Sequence, residues 1–362
     1  MEDGITRREF LKVSTGLGSL TLGILPSFSM PVSLNVGLMG AGMRGRILLE
    51  QLLSFPNIRV SAVCDVSASA LTAAADLLIG YETPYFTQDD HELLHRSDVD
   101  AVVIAIPDFS HAPSAAAALQ AGKSVYLETP LTRTLEELDR LRQISRVTGQ
   151  ILYAADPAAS HPGFAAAAGI VRSGLLGKIT RVHIAKHRPP DESIPTWRNY
   201  RAFSYGAAIQ ELTHSLQRVH RVMNVSEPVS LMAHGGVYVW QDGRDNPDTL
   251  YAIAAYAEGF AVSFTSVSGD SAHDEFAFYG TRGMLDLRHW RITPENAVES
   301  PIPLAIAQAA SEQLACAAHG ASPHHADFAG WLTAIAQHHD TFPEHAAHQV
   351  KLTEQIVSAL RG

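Results

Sequence analysis

The sequence predicts a two-domain α/β chain, a doubly wound parallel sheet followed by an α+β domain with a mostly antiparallel open sheet. Three observations lead there. Over residues 33–55 an apolar strand, a glycine-rich turn and an apolar helix follow one another, and the strand–helix rhythm continues to about residue 153. Between about 229 and 287, strand-like runs succeed one another with only glycine or Asp-Gly turns between them. The length, 362 residues, holds two domains of ordinary size.

Residues 1–30 are set apart first. Thr6-Arg7-Arg8-Glu9-Phe10-Leu11-Lys12 is a twin-arginine motif, and Val13–Leu25 is apolar but broken by glycines. This is the make-up of an export leader, too short to span a bilayer. It predicts transport through the twin-arginine route to the periplasm or another exported compartment, without stable membrane insertion.

Residues 31–153 form the first domain. Ser33–Met39 is a short apolar strand, followed by Gly40-Ala41-Gly42-Met43-Arg44-Gly45 and a helix over Ile47–Phe55. A second strand, Arg59–Cys64, ends at Asp65, 25 residues after Gly40. Strand, glycine turn, helix, strand and acid in this order mark a dinucleotide-binding Rossmann-type unit. Gly40 permits the tight turn, Gly42 lets backbone approach a pyrophosphate, and Gly45 allows close helix–strand contact. Met43 and Arg44 open the helix whose N-terminus would face the phosphates. Asp65 is placed to hold ribose hydroxyls, which favours NAD over NADP. Val99–Ile106 is a buried strand leading into Pro107-Asp108-Phe109-Ser110-His111. The helix Ala112–Ala121, the strand Ser124–Leu127, the helix Thr134–Val147 and the strand Ile151–Tyr153 complete the domain. In such sheets ligands gather at the strands' C-terminal ends, which places Asp65, Pro107, His111 and Glu128 around one crevice. His111 is equally readable as a residue capping its helix start.

Residues 154–362 form the second domain. Phe164–Ser173 reads as a helix, Ile179–His187 as a strand, and Arg188–Arg198 as a proline-rich loop. In Ile209–Met223 the apolar residues Leu212, Leu216, Val219 and Met223 repeat at helical spacing, with His214 on another face. Val229–Trp240, Leu250–Ala257, Ala261–Val267, Glu275–Tyr279 and Met284–Leu287 are strand-like. Their flat sheet suits a subunit contact, and a homo-oligomer is expected. Trp331 and Ile335 read as helix packing. The paired histidines 324/325 and 338/339, with His319, His345 and His348, have no metal-ligand spacing and read as surface or interface residues. The two cysteines, Cys64 and Cys316, imply neither a disulfide framework nor zinc.

The net charge of -10 argues against a general nucleic-acid binder. It is uneven: segment 31–120 carries 4 positive and 10 negative residues, 121–220 carries 13 and 8, and 221–362 carries 7 and 16. The basic stretch runs from Glu128 through His214 and would favour a phosphate-bearing cofactor or a polar substrate.

Taken together, Gly40–Gly45, Val63–Asp65, Val99–His111, Ala121–Pro130, Val171–Gly177, Thr213-His214, Asp242–Thr249 and Tyr279–Leu287 resemble the Gfo/Idh/MocA oxidoreductases. The likeness is nearest to their exported bacterial branch. The resemblance implies NAD as cofactor and a sugar, a cyclitol-like polyol or a sugar derivative as small-molecule substrate. Hydride would leave a carbon bearing a secondary hydroxyl while His214 takes the hydroxyl proton. The family has Glu-Lys-Pro where this chain has Glu128-Thr129-Pro130, and an aspartate where it has Gln210. Thr129 can donate a hydrogen bond but is a poor base, and Gln210 is no carboxylate. Glu211 points about 100° away on a regular helix. Lys186, Arg188 and Tyr205, with His214, are candidate substrate contacts. Two alternatives follow from the altered residues: an NAD-dependent glycoside hydrolase working by transient oxidation, and a catalytically weakened cofactor-binding protein.

Overall fold

The structure, a computed structural model, describes residues 33–156, 160–188, 196–269, 272–295, 300–319, 322–337 and 344–361. The twin-arginine segment and the histidine pair at 338/339 lie outside them.

The first domain is a six-stranded parallel sheet in the order β3-β2-β1-β4-β5-β6. Its strands are β1 (Leu34–Met39), β2 (Ile58–Cys64), β3 (Tyr85–Thr87), β4 (Ala101–Ile104), β5 (Ser124–Leu127) and β6 (Leu152–Ala154). The connecting helices are α1 (Met43–Leu53), α2 (Ala68–Leu77), α3 (Asp90–Leu94), α4 (Asp108–Gln120) and α5 (Leu135–Thr148). β1, β4 and β5 are buried almost throughout, as strands covered on both faces must be. The segment holding α2, β3 and α3 carries no expected element; β3 is three residues long and α3 five. Both glycine-turn and Pro107 helices start earlier than their apolar spacing indicates. α1 begins at Met43 directly after its N-cap Gly42, and α4 begins at Asp108 with Pro107 as its N-cap. In α4 the helix runs through Pro113, so the second start is masked by a residue that normally breaks helices.

The second domain is a seven-stranded sheet in the order β13-β12-β11-β7-β10-β9-β8. It comprises β7 (Ile179–Arg188), β8 (Ser230–Gly236), β9 (Thr249–Tyr256), β10 (Phe260–Ser268), β11 (Glu275–Gly280), β12 (Gly283–Asp286) and β13 (Arg291–Pro294). Every pairing is antiparallel except β7 with β10. β10 alternates strictly between buried and half-buried residues, so one face of the sheet is packed and the other is not. α6 (Pro162–Arg172), α7 (Ala207–Met223) and α8 (Leu304–His319) supply the packing, with Ile170, Leu216 and Leu314 in the same core as Val182 and Phe264. The expected strand 229–240 stops at Gly236. Beyond it the N–H groups of Tyr238, Val239 and Trp240 all donate to the Asp248 carboxylate, at 3.0, 2.9 and 3.0 Å, which draws the backbone out of the ladder.

The chain does not stay in the second domain. α9 (Pro323–Gln337) returns to the first, and Phe328 and Trp331 are fully buried beside Val36, Leu38 and Tyr126. The Asp327 carboxylate accepts from Tyr126 (2.6 Å), Tyr153 (3.2 Å) and the Asp156 N–H. α10 (Glu344–Arg361) spans both cores, with Ala346 and Val350 in one and Leu352 and Ile356 in the other. The boundary at 153/154 thus marks where the chain first crosses, while part of residues 154–362 completes the first domain. Among the described residues no helix is long and apolar enough to cross a membrane.

Candidate active site

The sheet order reverses between β1 and β4, and a cavity of about 1010 Å³ opens there. The glycine turn forms its floor. Gly40 has φ of +94°, and a Cβ there would meet the Ala105 carbonyl oxygen at 2.4 Å. A Cβ on Gly45 would lie 1.8 Å from the Gly40 oxygen, so the helix can approach the turn only without a side chain. Gly42 has nothing within 4 Å of its missing Cβ, which leaves open space in front of the α1 N-terminus. Among the described residues no side chain caps that end, so its N–H groups are available to an anion. Met43 lies at the rim. Asp65 accepts from the Ala41 N–H (2.7 Å) and the Ser67 N–H (2.8 Å). Each carboxylate oxygen keeps further accepting capacity for a ribose hydroxyl. Backbone room, a bare helix end and an acid at the β2 terminus fit NAD.

Arg44 turns from the phosphate end toward β5. Its Nε and Nη2 donate to Glu128 Oε1 at 2.9 and 2.6 Å, and Nη1 lies 3.1 Å from His324 Nε2. A cation thus stands against Glu128, the residue before Thr129, as half of an ion pair. His324 also lines the cavity, and burial, helped by Arg44, lowers its imidazole to about 4. Of the histidines expected at the surface, this one is a site residue; neighbouring His325 stacks on Phe55 at 4.2 Å. His111 is buried with Nδ1 2.7 Å from the Pro130 oxygen and Nε2 2.8 Å from the Ile106 oxygen. It ties the two strand-end loops together while lining the cavity. Pro107 and Thr129 line the wall. The Cys64 thiol is pushed up to about 12 by burial and the surrounding acids, and stays protonated.

α7 supplies the opposite wall. Its amphipathic pattern buries Leu212, Leu216 and Val219 and turns Gln210, His214, Gln217 and Arg218 to the cavity. Glu211 does not line it, as the regular helix requires. The His214 imidazole is lowered to about 4, chiefly by burial and then by the Arg218 charge, with Gln217 acting the other way. At neutral pH it is an uncharged base.

The missing carboxylate is present in space. Asp108, in the first turn of α4, accepts from the Gln210 amide and from Ser204 Oγ (2.7 Å). Ser204 also accepts from the Gly206 N–H (3.0 Å) and the Gln210 amide (3.2 Å). Burial pushes the Asp108 carboxyl up, opposed by nearby His111 and the Ser204 hydroxyl. Nothing local in the sequence links position 108 to 210; the single signal was an acid in the Pro107–His111 turn.

Three expected substrate contacts do not line the cavity. The Lys186 ammonium bonds Asp274 at 3.0 Å, and Arg188 ends the same strand. The Tyr205 hydroxyl donates to the Arg133 oxygen under that residue's guanidinium, 5.4 Å from its ring. Lys186 thus serves the sheet and Tyr205 the domain junction. His161, Phe164 and Arg198, from segments read only as a helix edge and loop, take up part of the wall instead.

Residues 34–155 match the oxidoreductase family with an NAD-binding Rossmann fold, and 164–286 match the GFO/IDH/MocA C-terminal domain. The chain is 29% identical over 204 residues to glycosyl hydrolase family 109 protein 2 of Shewanella sp. (strain ANA-3), covering 53% of this chain and 44% of that protein. It is 27% identical over 203 residues to the uncharacterized oxidoreductase YrbE of Bacillus subtilis (strain 168), covering 56% and 57%. The matches span about half the length of these curated relatives. In fold it is similar to an NAD-binding protein from Listeria innocua (TM-score 0.71, 19% identical, 91% of this chain and 95% of that one). It is also similar to levoglucosan dehydrogenase solved with NADH and levoglucosan (TM-score 0.67, 19% identical, 91% and 97%).

Proposed function

The chain belongs to the Gfo/Idh/MocA oxidoreductase family, and from that premise we propose that it oxidises a secondary hydroxyl of a sugar, polyol or sugar derivative. The observation that carries this reading is one cavity holding the glycine turn, Asp65, Thr129, Gln210 and His214 together. Nicotinamide, when bound, supplies the hydride acceptor. The chain's own residues do the rest. The α1 N-terminus and Asp65 hold the two ends of the dinucleotide. The Thr129 hydroxyl donates to the reacting oxygen and orients it. His214, neutral at pH 7, takes the hydroxyl proton. Gln210 stands one turn before it, its amide fixed by Asp108 and Ser204, so the carboxylate acts through the amide.

The glycosyl hydrolase relatives favour a second reading, glycoside cleavage in which NAD is reduced and reoxidised within each turnover. Purified protein assayed with NAD against sugars, polyols and aryl glycosides separates them. NADH formation supports the first reading; aglycone release without net NADH supports the second. Retained NAD with neither product leaves a cofactor-binding protein. In either enzymatic case His214→Ala should lower kcat by about 10²-fold or more while NAD affinity is kept. We further propose that the chain functions as a homo-oligomer and is exported through the twin-arginine route, on the strength of its open sheet face and of Thr6–Lys12.

A further inference from the structure

Arg218 differs from the paired charged residues of the cavity. Arg44 is paired with Glu128, Asp65 with backbone N–H groups, and Asp108 with Ser204 and Gln210. The Arg218 guanidinium makes no hydrogen bond or ion pair among the described residues, and its Nε is buried without an acceptor. It lies 5.8 Å from the centre of the Phe164 ring, one helical turn beyond His214. A charge withdrawn from water and left unpaired is costly. Here it lines an open cavity, where an incoming anion can meet it.

We propose that Arg218 binds the carboxylate of a sugar acid, of which a hexuronate is the type, and so sets the ring's reacting hydroxyl against His214. A planar guanidinium takes a carboxylate through two parallel hydrogen bonds, which fixes orientation as well as position. Asp156 and Glu211 also act electrostatically on Arg218 without pairing with it. Their negative potential suits a singly charged carboxylate and disfavours a doubly charged phosphate. Phe164 and His161 offer a ring-sized apolar wall beside the guanidinium. The anchoring of the carboxylate stands on Arg218 alone; the turn of the hydroxyl toward His214 rests on the oxidoreductase reading above.

The test is calorimetric titration of the NAD-loaded protein with D-glucuronate, D-galacturonate, the two parent hexoses and glucose 6-phosphate. At least one hexuronate is expected to bind tenfold or more tightly than its parent hexose. Arg218→Met should bring the pair within about twofold of each other, and Arg218→Lys, which keeps the charge but not the fork, should retain part of the preference. NAD affinity in each variant reports that the fold is intact. A hexuronate preference that survives in Arg218→Met overturns the proposal. So do equal binding of acid and neutral sugar, no binding of either hexuronate, and tighter binding of glucose 6-phosphate. Hexuronate binding with no NADH formed leaves the anion site standing and removes the oxidoreductase reading instead.

Discussion

His214 is a usable base because of what surrounds its ring, and not because histidine is one. Burial and the Arg218 charge disfavour the imidazolium, so the ring stays neutral down to about pH 4. For the free enzyme kcat/KM should therefore be flat from pH 8 to about 5 and fall on the acid side only near pH 4, whereas a limb near 6.5 would mean an unperturbed histidine carries the step. Asp108→Asn keeps the shape of its hydrogen-bond cluster but removes the charge that fixes the Gln210 amide. Roughly a 10²-fold loss in kcat with little change in KM is expected from a misplaced amide, and unchanged kcat would remove Asp108 from the site. Asp65→Ala should weaken NAD binding and relax the exclusion of NADP; equal affinities for both in wild type and variant would sink its role. Residues of the glycine turn were legible in the sequence because their constraint is local: the Gly40 dihedral and the Gly45 contact involve neighbours in the chain. Asp108 was not, since its bond to Gln210 crosses 102 positions and two domains. Lys186, at a predicted strand end, and Tyr205, just before a predicted helix, misled because a polar side chain there has no local mark telling whether it faces the site or a neighbouring element.

At the scale of elements, the parallel strands and α7 were recoverable because burial leaves a period in the sequence. α9 was different. Trp331 predicts packing, but its partners Val36, Leu38 and Tyr126 lie some 200 or more positions earlier, and no period reports that distance. Asp327 holds this docking. Buried, it accepts from two tyrosine hydroxyls and a backbone N–H, and the burial raises its carboxyl to about 6. Asp327→Ala would leave those donors buried without an acceptor, an expected loss of about 2–4 kcal/mol in unfolding free energy. Asp327→Asn keeps an acceptor and should lose less. The two differ from wild type in pH dependence as well. A carboxyl raised in the folded state binds more protons there than in the unfolded chain between its two pKa values, so wild type should gain stability over Asp327→Asn as pH falls from about 6 to about 4. Thermal melts of both variants across that range check the sign, and a gain in the opposite direction would show that Asp327 is ionised in the fold throughout.

Over the molecule as a whole, the helices among the described residues cover only one face of the second sheet. On the other, the register sets Met232 opposite Ile253 and His234 opposite Tyr251, and Ile253 lies beside Ser263. Met232 is 73%, Ile253 57% and Tyr251 48% exposed, a run of large apolar groups on adjacent strands and not scattered single residues. A flat, twisted sheet face of this kind matches itself across a two-fold axis, because each strand of one copy can meet the corresponding strand of the other. The charge supports a second copy over a general anionic partner: segment 221–362, which holds β8 through β13, carries 7 positive and 16 negative residues, and nucleic acid or an anionic membrane would be repelled. In the proposed homo-oligomer, two acidic copies would meet along this apolar row. Light scattering on the purified full-length chain should give at least twice 39.1 kDa, and Ile253→Lys, which sets a charge in the middle of the row, should shift it toward monomer. The variant should keep its NAD affinity, because Ile253 does not line the dinucleotide cavity. A wild-type chain that is monomeric at micromolar concentration, or a variant that assembles as before, would leave this face without the proposed occupant.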